Sequence, residues 1–150
     1  MSKTLKSVVL KALNIIKPSL QNHNISLVEN YNSDENIKFY DNELIQVVLN
    51  ILKNSQDAFD EKQIKNASIT ISTYEDSILI CDNAGGIADN IIDHIFEVYF
   101  STKSEKNGTG LGLYMSKIII EKHHNGNLSV KNVDNGVCFK IQIGEINDSL

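Results

Sequence analysis

The feature that most constrains the fold is an amphipathic segment over residues 42–62. Its apolar residues recur every three or four positions, which predicts a long helix with one buried face. That stripe consists of Leu44, Val47, Val48, Ile51, Leu52 and Phe59. Residues 5–20 carry a second stripe of the same kind, with Pro18 near its end. Two helices of this kind need an apolar layer to pack against.

Short strands that pair locally supply that layer. Alternation over residues 67–74, followed by 77–81, predicts a hairpin, and residues 128–133 and 136–143 predict another. Residues 25–31 and 37–40 are further strand candidates. A short helix over 88–96, a polar loop over 97–109 and a helix over 111–124 lie between the hairpins. This order favours a two-layer α/β sandwich, with a mixed, mostly antiparallel sheet covered on one face by helices.

Length and composition favour one domain over residues 1–150, because 41% of the residues are hydrophobic. The net charge of −5, with 14 lysines and no arginine, argues against a nucleic-acid partner. Without a signal peptide or an apolar run long enough for a membrane span, we expect a cytoplasmic domain with no membrane contact. Cys81 and Cys138 are then expected to be reduced thiols in the core.

Polar residues on the long helix form the first candidate site. Asn50, Asn54, Asp57 and Glu61 follow one another at helical spacing and share the face opposite the apolar stripe. For a lone helix, an ordinary solvated face is the favoured explanation of these four residues. The two asparagines are less ordinary there, because asparagine lowers helix propensity without adding charge.

Three further segments carry possible chemistry. DNAGGI, residues 82–87, places a carboxylate and two glycines directly after a strand, where a backbone can pass close to a flat ligand. Taken alone, an ordinary Asx turn explains it as well. NGTGLGL, residues 107–113, opens a helix with glycines that can expose N–H groups to phosphate. IFEVYFSTK, residues 95–103, is an aromatic cluster that leads into the polar loop.

In their order and spacing, these segments resemble the ATP-binding domain of sensor histidine kinases, with its Bergerat-type fold. QVVLNILKNSQDAF, residues 46–59, resembles the N box of that family. DNAGGI and GTGLGLY, residues 108–114, resemble its two glycine boxes, and IFEVYFSTK resembles its F box. The likeness covers nearly the whole chain.

The resemblance implies a site for Mg²⁺ and ATP. Asp82 would accept a hydrogen bond from the adenine amino group, and its acceptor-only carboxylate would select adenine over guanine. Asn54 would hold Mg²⁺ through its side-chain oxygen, and Asn50 would position the phosphates. The other residues that the resemblance assigns to nucleotide binding are Asp57, Ala58, Gly86, Ile87, Thr102, Lys103, Gly108, Thr109, Gly110, Leu111, Gly112 and Leu113.

Position 50 favours a kinase over a hydrolase. In the ATPases of this superfamily the matching residue is a Glu that activates water, and Asn50 cannot take a proton. A neutral imidazole acceptor needs no such base, so positioning and charge neutralisation would carry the transfer. Three residues depart from the commonest pattern: Ala84 replaces a glycine, Val98 a proline, and Asp57 a basic residue.

None of the four histidines matches the family's acceptor, which lies upstream on a dimerising helical hairpin. We therefore expect His23, His94, His123 and His124 to be structural or surface residues. The acceptor would belong to a separate dimerisation domain, and a response regulator would act downstream. One alternative is a nucleotide-binding regulatory module without phosphotransfer. A weaker alternative is an ATPase, against which Asn50 and the short loop both argue.

Overall fold

A computed structural model of the chain describes residues 2–97 and 112–146. Its elements are β1 (Ser2–Thr4), α1 (Leu5–Asn22), β2 (Ser26–Tyr31), β3 (Asn36–Lys38), α2 (Asp41–Lys62), β4 (Ser68–Thr73), β5 (Ser77–Asp82), α3 (Asp89–Ile92), α4 (Gly112–Ile118), β6 (Asn127–Val133) and β7 (Gly136–Gln142). After α4 the chain continues as a π-helix over Ile119–His123. None of the described helices is long and apolar enough to cross a membrane.

The main sheet has five strands in the order β2-β4-β5-β7-β6. Only β2 and β4 pair in parallel, whereas β4–β5, β5–β7 and β6–β7 are antiparallel. Both hairpins that the alternation predicts are present. The predicted two-layer sandwich with a mixed, mostly antiparallel sheet is therefore confirmed.

The helices pack against one face of this sheet through the predicted stripes. All seven apolar residues of the α1 stripe and all six of the α2 stripe are buried. They share one core with the inward residues of the strands, of which Ile69, Ile71, Ile78, Ile80, Phe139 and Ile141 are almost completely buried. Because burial of such a side chain contributes roughly 1.5–3 kcal/mol, this core holds α2 against the sheet.

Within the described residues, the predicted helix over 111–124 ends just before Asn125-Gly126, a residue pair that commonly ends helices. Asn125 adopts a left-handed conformation with φ of 50°, which ends the helix. Gly126 then lies against β7 so closely that a Cβ would come within 1.8 Å of the Gln142 carbonyl oxygen. The sequence therefore needs a glycine at this position for steric reasons.

A second, two-stranded sheet was not predicted. The strand β1 pairs antiparallel with β3, so that the start of the chain lies beside the approach to α2. Lys3 and Lys11 reach the Asp41 carboxylate at 3.2 and 2.7 Å and tie β1 and α1 to the first turn of α2. Burial alone would raise the pKa of Asp41, but the hydrogen bonds from the two lysines outweigh it and lower that pKa.

The prediction of two reduced thiols is wrong. Cys81 on β5 and Cys138 on β7 are directly opposite in the sheet register, and they form a disulfide with a Cα–Cα distance of 4.1 Å. Their side chains point away from Ile80 and Phe139, toward the face of the sheet that the helices do not cover. Sequence spacing contained no sign of the pairing, because it depends on the β5–β7 register.

We expect the oxidised protein to show no free thiol under denaturing conditions and two after reduction. The bridge joins positions 57 residues apart. Its reduction should lower the free energy of unfolding by about 2–4 kcal/mol, because the unfolded chain regains freedom. Thiol titration and urea unfolding, with and without dithiothreitol, measure both effects. Two titratable thiols before reduction would contradict the bridge.

His124 is completely buried at the junction between the π-helix and the segment before α2. Its Nδ1 donates to the Ile119 carbonyl oxygen at 2.9 Å, and its Nε2 accepts the Tyr40 backbone N–H at 3.0 Å. These partners require the neutral ring, because a protonated Nε2 would face another donor. Burial accordingly lowers the pKa of His124, against the opposing effects of the Ile119 carbonyl and Glu43. The prediction of a structural role is consistent with this position.

Stability should therefore fall as the pH drops. The unfolded chain binds a proton at His124 near the ordinary pKa of about 6.5, whereas the folded chain resists it. The contribution of this residue is complete above that pKa and is lost below it. We expect His124→Gln to flatten the pH dependence of the unfolding free energy between about pH 7.5 and 5. The exposed His23→Gln serves as the control, and equal slopes for both variants would contradict the assignment.

Candidate nucleotide site

Asp82 ends β5 with its side chain on the helix-covered side of the sheet, 8% exposed. The Ser55 hydroxyl on α2 donates to its Oδ2 at 2.7 Å, and the Ala84 backbone N–H donates to its Oδ1 at 3.1 Å. Both carboxylate oxygens thus have a donor, as a buried anion requires. The contact from Ser55 brings the middle of α2 to the end of β5.

The polar face of α2 is graded in burial rather than uniformly solvated. Asn50 and Asn54 are partly buried, Asp57 is only 6% exposed, and Glu61 is exposed. The Asn54 carboxamide makes no hydrogen bond with any described residue. Its oxygen is therefore open to a ligand.

Asn50 joins α2 to the start of α4. Its Oδ1 accepts from Gln46 Nε2 at 3.0 Å, while its Nδ2 donates to the Gly112 carbonyl at 3.3 Å and to Ser116 Oγ at 3.1 Å. The Ser116 hydroxyl in turn donates to the Gly112 carbonyl at 2.8 Å. The second glycine box is thereby held beside the N box at its described end.

Asp57 forms an ion pair with Lys53, one helical turn earlier. The Lys53 ammonium lies 3.2 Å from Asp57 Oδ1, and Lys53 itself is largely exposed. The next residue, Ala58, is partly buried and packs against the core. A role of Asp57 and Ala58 in nucleotide binding stays a prediction.

Polar contacts hold the first glycine box in place. Gly85 has a φ of 80°, which a side chain would strain, and its N–H donates to the Asn135 carbonyl at 2.9 Å. Asn83 bonds the backbone of residues 66 and 68 through its carboxamide. The Lys62 ammonium, at the end of α2, donates to the Gly86 carbonyl at 3.1 Å.

A side chain on β6 completes these contacts. The Asn132 carboxamide bonds both the N–H and the carbonyl of Ile87, at 2.8 and 2.7 Å. Sequence reasoning missed Ser55, Lys62 and Asn132, because each acts through a partner that is distant in the chain. The one available sequence signal was Ser55, a polar residue at a position that belongs to the apolar stripe of α2.

Of the residues that the resemblance assigns to the nucleotide, Asn50 and Asn54 lie on α2, and the same helix contacts Asp82 through Ser55 and the first glycine box through Lys62. Leu113 on α4 is partly buried against the core. Six assigned residues lie outside the described part of the chain: Thr102, Lys103, Gly108, Thr109, Gly110 and Leu111.

A surface cavity of about 900 Å³ lies elsewhere, at the start of α2. Its lining includes Lys3, Tyr40, Asp41, Glu43 and His123, and none of the residues assigned to the nucleotide. The Glu43 carboxylate and the His123 ring are 3.1 Å apart there. This opening in the described surface is therefore distinct from the candidate site.

The model of the histidine kinase-, DNA gyrase B- and HSP90-like ATPase family matches residues 40–145. The fold and this match define a domain of the ATPase type. The chain belongs to this ATPase family.

Curated relatives are sensor kinases. The sensor histidine kinase ZraS of Salmonella typhi is 31% identical over 146 residues, covering 91% of this chain and 30% of that protein. The two-component sensor PprA of Pseudomonas aeruginosa is 30% identical over 112 residues, covering 67% of this chain and 12% of that protein. The chain therefore spans less than a third of the length of either relative.

Solved structures share the fold. The catalytic domain of the histidine kinase ThkA superposes with a TM-score of 0.83 at 24% identity, covering 97% of this chain and 95% of that one. The mycobacterial sensor histidine kinase MprB superposes with a TM-score of 0.79 at 20% identity, covering 98% and 99%. These likenesses support the two-layer architecture over almost the whole chain.

The Ser55–Asp82 contact can be tested by Ser55→Ala. The variant leaves a buried carboxylate oxygen without its donor, which should lower the free energy of unfolding by about 1–3 kcal/mol. Urea unfolding measures the loss. Ser26→Ala, at an exposed position on β2, is the matched control and should change stability by less than about 0.5 kcal/mol. Equal stabilities for the two variants would show that the hydrogen bond contributes nothing.

Proposed function

We propose that this chain is the catalytic domain of a sensor histidine kinase, which binds ATP with Mg²⁺ and transfers the γ-phosphate to a histidine on another domain. The observation that carries the proposal is the Ser55–Asp82 hydrogen bond. It brings a carboxylate for the adenine amino group to the helix that carries Asn54 and Asn50. Family membership and the sensor-kinase relatives support the same assignment.

The donor set fits a nucleotide with a divalent cation. The Asn54 side-chain oxygen accepts no hydrogen bond from any described residue. Oxygen ligands of this kind suit Mg²⁺, which proteins usually hold through one or two side chains together with the phosphates of the substrate. When bound, the cation would neutralise charge on the phosphates. Asp82 would accept from the adenine amino group, while Gly86 and Ile87 would lie along the base.

The same geometry favours transfer to histidine over hydrolysis. The Asn50 carboxamide is held by Gln46, Gly112 and Ser116, and an amide has no basic atom with which to activate water. A neutral imidazole attacks with its own lone pair. The new bond joins its nitrogen to the γ-phosphorus, while the bond to the β-phosphate oxygen breaks and ADP leaves.

We also propose that the acceptor lies outside these 150 residues. His124 is buried, His23 contacts the Ser19 carbonyl and Asp60, His94 contacts Glu97, and His123 contacts Glu43. The natural acceptor is then a dimerisation domain of the parent kinase, with a response regulator downstream. A solved structure of the histidine kinase ThkA in complex with the response regulator protein TrrA supports a response regulator as a partner. We propose a cytoplasmic setting as well, because the proposed reaction consumes ATP.

The deciding experiment is phosphotransfer from radiolabelled ATP to the acceptor domain of the parent kinase, with and without Mg²⁺. We expect a labelled acceptor only with the metal. ATP binding without any labelled acceptor would favour the regulatory module instead, and steady phosphate release without an acceptor would favour an ATPase.

Asp82→Asn tests the adenine contact. The substitution turns an acceptor into a partial donor, which should cost roughly 2 kcal/mol, or about 30-fold in ATP affinity. Calorimetric titration measures the affinity, and thermal unfolding establishes that the variant is folded. Asp76→Asn, in the β4–β5 turn, is the control. An unchanged affinity in a folded Asp82→Asn protein would contradict the role of Asp82.

A further inference from the structure

The first glycine box has no regular structure of its own beyond β5, yet one side chain holds it as a strand would. Asn132 Oδ1 accepts the Ile87 N–H at 2.8 Å, and Asn132 Nδ2 donates to the Ile87 carbonyl at 2.7 Å. Two residues of an antiparallel pair exchange the same two bonds. The carboxamide therefore acts as a one-residue extension of the sheet, across 45 positions of sequence.

An asparagine is specifically suited to this contact. Its carboxamide carries one acceptor and two donors on a short stem, whereas a carboxylate only accepts. Asn132 lies on the same face of β6 as Leu128 and Val130, because alternate residues of a strand share a face. The Asn132 side chain is exposed, so it could form hydrogen bonds with water instead. The two hydrogen bonds therefore serve to order the loop at Ile87.

The contact also determines the space beside Gly86. A Cβ on Gly86 would come within 2.9 Å of Asn132 Oδ1, so only a glycine fits without moving the carboxamide. The Gly86 carbonyl, in turn, accepts from the Lys62 ammonium at 3.1 Å. Residues 86 and 87 are thus fixed between β6 and the end of α2.

We propose that Asn132 is a positioning residue for the nucleotide site. Its carboxamide fixes Gly86 and Ile87 before ATP arrives, and it touches neither ATP nor the metal. The inference rests on the proposed function. A loop that is already ordered loses less conformational freedom when a ligand binds, so removal of the carboxamide should weaken binding without altering the bound chemistry.

Three variants separate this role from general stability. Asn132→Ala removes both hydrogen bonds, whereas Asn132→Asp retains the acceptor for Ile87 N–H and places a charge against the Ile87 carbonyl. Asn127→Ala is the matched control, since Asn127 is an exposed asparagine of β6 whose side chain bonds no described residue. For each protein we would measure thermal unfolding, ATP affinity with Mg²⁺ by calorimetry, and amide hydrogen exchange at Ile87 and Ile80.

For Asn132→Ala we expect about tenfold weaker ATP binding, the equivalent of one to two net hydrogen bonds. Exchange at Ile87 should accelerate by about tenfold or more, while exchange at Ile80 and the melting temperature match those of Asn127→Ala. Asn132→Asp should also weaken ATP binding, because its carboxylate loses the donor to the Ile87 carbonyl and repels that oxygen. In the transfer assay the KM for ATP should rise while kcat is retained, which a loss of fold would not produce.

Affinity and KM equal to those of the wild type in both Asn132 variants would overturn the inference. So would a loss of Ile80 protection together with Ile87 protection, because the residue would then support the whole fold. Failure of the wild-type protein itself to bind ATP would contradict the proposed function, and the two failures are therefore distinguishable.

Discussion

The hydrogen bond from Ser55 to Asp82 is the contact on which the arrangement of the site depends. It joins two elements that hydrophobic packing brings together but does not align. The α2 stripe settles which face of the helix meets the sheet, whereas a buried carboxylate accepts a hydroxyl only over a narrow range of distance and angle. The contact therefore fixes the position of α2 along β5, and with it the place of Asn54 relative to Asp82.

Backbone segments without strand partners obtain their hydrogen bonds from asparagines. The Asn132 carboxamide bonds Ile87 of the glycine box, the Asn83 carboxamide bonds the backbone of residues 66 and 68, and Asn135 supplies a carbonyl from a left-handed turn to Gly85. Left-handed backbone also occurs at Asn24, Asn66 and Asn125, each at the end of a helix or loop. The abundance of asparagine, which weakens any single one as a signal of function, thus has a structural cause in the turns and in the glycine box.

Periodic patterns predicted the elements that bury an apolar face, because such burial leaves a repeat in the sequence. The α1 and α2 stripes and both hairpins belong to this group. The β1–β3 pair, the Cys81–Cys138 bridge and the Asn132 contact left no repeat, since each depends on a pairing between distant positions. The motifs named the candidate residues of the site, whereas the contacts that hold those residues in place depend on the folded structure.

The ion pair at position 57 shows how the helix accommodates a buried carboxylate. On the face that carries Asn50 and Asn54, an uncompensated carboxylate would repel the phosphates of a nucleotide. Here the Lys53 ammonium, 3.2 Å from Asp57 Oδ1, supplies a compensating charge within one turn of the helix. The pair is partly exposed, so it contributes modestly to stability. The effect of the ion pair is electrostatic, because the positive charge of Lys53 compensates the negative charge of Asp57 on the same helix.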